Sequence, residues 1–167
     1  MHAPGSLILS LLLAATAAGT SPALAATPGQ GAHAHDHHGA APQLRLDHGR
    51  KWATDAPLRE GMTRMRALVA PQLAAAHAGR IDAQAYADLA GKLDVEVGTI
   101  VSNCKLSPQA DAVLHVILSD LTAGSSAMAG RTPGADRAHG LVQVATAVNT
   151  YGRYFEHRGF TPIAIGH

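Results

Sequence analysis

Four runs of apolar residues spaced three and four apart, each opened by a capping residue, decide what this chain can fold into. In the first, Thr54 or Asp55 caps and Pro57 sits in the opening turn, with Leu58, Met62, Met65, Val69, Leu73 and Ala76 on one stripe and Pro71 as a kink. Gly79 breaks it. Asp82 then caps a second run through Tyr86, Leu89, Leu93, Val97, Ile100 and Cys104, with Ile81 placed to staple onto Tyr86. Ser107 and Pro108 open a third, with Ala110, Leu114, Ile117, Leu121 and Met128 inward, and Gly130 ends it. Thr132 and Pro133 repeat the cap signature ahead of Leu141, Val144, Val148, Tyr151 and Phe155, and Gly159 is the expected stop. No strand pattern competes, and the frequent alanine favours helix. The expected fold is therefore all-α, an antiparallel up-down-up-down four-helix bundle, with completion by a homodimer as the alternative assembly. Trp52, the only tryptophan, is placed to anchor that end of the core.

The residues ahead of the helices read differently. "SLILSLLLAATAAGT" is an apolar run too short to span a bilayer, and "ALA" at Ala23 to Ala25 supplies a small-x-small cleavage pattern. The expected organisation is a signal peptide over 1–25, a flexible His-rich arm and lead-in over 26–52, the bundle over 53–158 and a C-terminal tail over 159–167. The mature protein is expected in the periplasm, and no cysteine near the cleavage point offers a lipid anchor. Thirteen basic and twelve acidic residues nearly cancel, which argues against a nucleic-acid partner.

Two groups of side chains could bind a metal ion. His33, His35, His37 and His38 crowd the arm, and neutral imidazoles on a flexible chain take Cu(II) or Zn(II). The second group lies where the first helix starts, the second ends, the third starts and the fourth ends. Stripe phase at about 100° per residue directs Met62, Met65 and Cys104 inward there, a soft donor set suited to Cu(I). His115 is the further candidate ligand, near in depth but on the polar side with Asp111, where the bland alternative is a surface hydrogen-bonded pair. A lone thiol is as readily core packing as a ligand. His157 is turned away from Phe155 by the same phase, and Arg66 and Glu96 flank their stripes as a structural ion pair. The chain carries no glycine-rich phosphate loop, zinc-protease helix motif or nucleophile elbow, so a binding protein is expected rather than an enzyme.

The segment "APLREGMTRM" resembles the opening of the periplasmic four-helix-bundle b-type cytochromes, whose first helix supplies a methionine to haem at the position of Met62. Their partner histidine comes near the end of the fourth helix, where phase disfavours His157, and no "CxxCH" attachment is present. Haem is thus the alternative to copper or zinc. "LDHGRKWATDAPLR", "NCKLSPQADAVLH" and "YGRYFEHRGF" together resemble small exported proteobacterial proteins labelled DnrO, which implies export and no particular mechanism. A protein partner without any metal is the remaining expectation.

Overall fold

The structure, a computed structural model, describes residues 43–166. The signal segment and the arm histidines His33, His35, His37 and His38 lie outside the described residues. The described chain is all helical, with no strand and two isolated backbone bridges. Its elements are α1 (Ala56–Val69), a 3-10 turn (Ala70–Gln72), α2 (Leu73–His77), α3 (Ala83–Asn103), α4 (Pro108–Met128) and α5 (Arg137–Tyr154). None of these helices is long and apolar enough to cross a membrane.

The boundaries follow from local chemistry wherever a capping side chain or a left-handed glycine sets them. Asp55, Asp82 and Ser107 each accept the backbone N–H three residues on and so satisfy one of the donors left open in the first turn. Pro71 cannot donate to the helix ladder, and the chain tightens into the 3-10 turn around it before α2 resumes the stripe. At Gly79 and Gly130 the backbone turns to φ 63° and 72°. Each closes its helix with a paired set of bonds, Arg80 N–H to Ala75 with Gly79 N–H to Ala76, and Arg131 N–H to Ser126 with Gly130 N–H to Ala127.

Three expectations fail at boundaries or contacts set by the tertiary fold. Thr132 and Pro133 do not cap the last helix. Gly134 takes φ 73°, which breaks the would-be first turn, and the helix starts at Arg137 on the Asp136 cap. Nor does that helix run to Gly159. It stops at Tyr154 because Phe155 is pulled into an extended bridge beside Trp52, with Trp52 N–H bonded to Tyr154 and Glu156 N–H to Trp52. Glu96 takes both of its oxygens to the Arg64 Nε at 2.9 Å, while Arg66 reaches the Thr161 carbonyl instead.

Helix α1 packs on α3 and α5, and α4 packs on α3 and α5. Their stripes meet in one core that includes Leu58, Met62, Met65, Ile100, Leu114, Ile117, Val148, Tyr151 and Phe155, all essentially inaccessible to solvent. Two glycines allow α4 and α5 to touch backbone to backbone. A Cβ on Gly124 would stand 2.8 Å from the Gly140 carbonyl oxygen, and one on Gly140 2.8 Å from that of Gly124. The segment after α5 is not a loose tail. Ile163 is buried, and its backbone N–H and C=O both pair with the Asn149 side chain, at 2.7 and 2.9 Å.

Candidate functional site

The start of α1, the end of α3 and the residues leading into α4 meet at Asp55. Its carboxylate accepts the Leu58 N–H at 3.0 Å as a helix cap, the Lys105 N–H at 2.6 Å, and the Cys104 thiol at 3.5 Å. Burial pushes this carboxyl up, but the bonds from Lys105, Leu58 and Cys104 outweigh it and hold the group below its ordinary value. The lone thiol feels the opposite balance. Burial, the neighbouring Asp55 charge, the bond to that carboxylate and the charge of Asp111 together push Cys104 up to about 12. At neutral pH it is a protonated thiol donating to a carboxylate, and a nucleophilic sulfur has to be thiolate.

The other ligand candidates of this end are placed as follows. Met62 and Met65 are fully buried in the core, on the inward stripe of α1. His115 faces solvent from α4, with its Nδ1 at 2.9 Å from the Asp111 carbonyl and 3.3 Å from the Asp111 carboxylate, as a surface pair one helical turn apart. The structure joins Cys104 to Asp55 and His115 to Asp111, each a carboxylate outside the expected donor set. Among the described residues no three of His, Cys, Asp and Glu gather in an arrangement that could hold a metal ion.

A second cluster fills the end of α5. Tyr151 is completely buried, stacked on Phe155 with ring centroids 5.5 Å apart, and its hydroxyl lies 2.9 Å from His157 Nδ1. Phe160 meets the edge of the Tyr151 ring at 5.4 Å and the His157 ring at 5.3 Å. Burial drives the Tyr151 hydroxyl far above the usual phenol range, so it stays a donor. Burial and then the Arg59 guanidinium hold His157 below the usual imidazole value. His157 therefore folds onto the core, against the expectation that it turns away. The helical phase used to place it ends at Tyr154, and past that point the chain direction decides.

Sequence reasoning missed both hubs. Asp55 is legible as a cap because a proline follows within the first turn, but the donors it takes from residues 104 and 105 depend on how α3 docks. The pairing of Tyr151 with His157 has a local signal, a tyrosine and a histidine six apart across a helix end, which the assumption of a continuing helix concealed. On the outer side of this end, a groove of about 660 Å3 is lined by Arg45, Leu46, Asp47, His48, Trp52, Ser107 and Gln109. Trp52 is among its lining residues, with the indole N–H donating to the Arg45 carbonyl at 2.7 Å. No protein-family model, curated protein or solved structure matches the chain.

Proposed function

We propose that the chain is an exported, non-catalytic binding protein whose helices form an up-down-up-down bundle carrying a metal-capturing arm, with copper as the first candidate and zinc the second. The bundle topology is supported by the way contacts run between neighbours. Arg64 and Gly61 of α1 meet Glu96 and Ile100 of α3 in reversed order, as Gly124 and Met128 of α4 meet Gly140 at the start of α5. The observation that carries the metal assignment is the crowding of His33, His35, His37 and His38 into one short stretch of the arm. Cys104 is a neutral thiol committed to Asp55, and His115 is committed to Asp111. Those commitments favour capture by His33, His35, His37 and His38, with Cys104, Met62, Met65 and His115 as the alternative site. The same protonated thiol supports a non-catalytic role.

The test uses mature protein purified from the periplasm, its N-terminus expected at Ala26. Deleting residues 31–40 should abolish Cu(II) and Zn(II) binding in a metal titration and leave the melting temperature unchanged. Cys104→Ser, Met62→Leu, Met65→Leu and His115→Ala should each keep the metal. Binding that survives the deletion and fails in those variants would move the site into the bundle. A Soret band in the purified protein would replace metal capture with haem binding.

A further inference from the structure

The segment after α5 lies along the bundle as a strap. It leaves at Phe155, passes Phe160 over Gly152, and is tied further on by Arg66 to the Thr161 carbonyl and by Asn149 to Ile163. Gly152 is needed for this course, since a Cβ there would stand 2.5 Å from the Phe160 ring. At the corner where the strap departs, His157 reaches the core through its bond to the Tyr151 hydroxyl.

We infer that His157 is a proton-operated latch for this strap: neutral, it accepts from the buried Tyr151 hydroxyl and holds Phe160 on α5, and protonated, it releases that corner. The reason lies in what the buried phenol can do. A neutral imidazole offers Nδ1 as an acceptor, and Tyr151 has its proton to give. Protonation turns Nδ1 into a donor. The tyrosine oxygen then has to accept, and its own O–H is left to find another acceptor where the Phe155 and Phe160 rings pack on it and where the polar neighbours acting on it are the Arg59 guanidinium, the Cys104 thiol and an Asp55 carboxylate already taken up by the Leu58 and Lys105 amides.

The charges around the latch point the same way. From α1 the charged group acting on His157 is Arg59, which donates to the Thr54 carbonyl and hydroxyl. From α5 its hydrogen-bond partner is the neutral Tyr151. Of the carboxylates at this end, Asp55 is taken up by the Leu58 and Lys105 amides, Asp111 by His115, and Glu156, next in the chain, points to solvent. Among the described residues His157 has no ion-pair partner, so its proton adds a second positive charge beside Arg59. Because the closed form holds His157 below its free value, closure is complete above the free imidazole value of about 6.5 and weakens as pH falls toward the depressed one.

The experiment is an NMR titration of the mature protein between about pH 5 and pH 8, following imidazole and aromatic signals. The His157 imidazole should titrate below the free imidazole value, and the Phe160 ring signals should move with the same midpoint. In Arg59→Gln both midpoints should rise together. His157→Gln, which keeps an acceptor and cannot titrate, should remove the pH response of Phe160. Two results overturn the latch: Phe160 signals that stay fixed while His157 titrates, or a Phe160 response that persists in His157→Gln. If His157→Gln leaves the strap open at neutral pH, the paired midpoints of wild type and Arg59→Gln decide by themselves.

Discussion

Asp55 shows how much one side chain can organise when three donors converge on it. Asp55→Ala removes a helix cap and also leaves the Lys105 amide and the Cys104 thiol without their acceptor, so a loss of about 1–3 kcal/mol is expected in urea unfolding. The same variant should raise the alkylation rate of Cys104 by iodoacetamide, because the charge that disfavours thiolate is gone. Its acid behaviour follows from the sign of the shift. A carboxyl held low by folding contributes stability above the free value of about 3.9 and loses it as pH falls through the lower, folded one. The difference between wild type and Asp55→Ala should therefore shrink in strong acid. At this scale the sequence made the caps of α1, α3 and α4 and the stripe residues readable, since these are set by neighbours within one turn, while the Asp136 cap of α5 was missed. It did not make the fate of Cys104 readable. Phase pointed the thiol inward, and the bond it gives Asp55 depends on the docking of α3.

Glycines divide the helices into places that must stay bare and places that need not. Gly124 and Gly140 sit at the crossing of α4 and α5, where a methyl group meets backbone atoms that cannot move aside. Gly124→Ala or Gly140→Ala is expected to cost about 1–3 kcal/mol through forced separation of the two helices. Gly91 and Gly98, on the exposed side of α3, have open space where a Cβ would go. Gly91→Ala and Gly98→Ala should each stabilise by about 0.5–1 kcal/mol, since alanine restricts the unfolded chain and favours helix. Thermal or urea unfolding of the four variants checks both directions at once. Helix ends follow the same division between local and distant causes. The stops at Gly79 and Gly130 were legible because the bonds that make them lie within six residues. The ends at Cys104 and Phe155 carry no glycine. They stop where Asp55 and Trp52, about fifty and one hundred residues away in sequence, take hold of the chain.

At the scale of the molecule, the four-run helical layout was legible because each run carries its own period, and the surface character of His115 because it shares a face with Asp111. The path of the final residues was not. Nothing in "HRGFTPIAI" has a period, and its order comes from partners on α1 and α5 such as Arg66 and Asn149. The bridge between Trp52 and Phe155 has a consequence in time. It joins residues about a hundred apart, while α4 and α5 are joined by a short turn and meet at Gly124 and Gly140. Closing the long loop costs more chain entropy than closing the short one, so the α4 and α5 pair is expected to form early and the bridge late. Gly124→Ala should then slow refolding. Thr54→Val, which removes the bond from the Thr54 hydroxyl to the Glu156 carbonyl beside the bridge, should instead speed unfolding and leave refolding nearly unchanged. The sole tryptophan sits on that bridge, and in stopped-flow its fluorescence reads the last part of the chain to close.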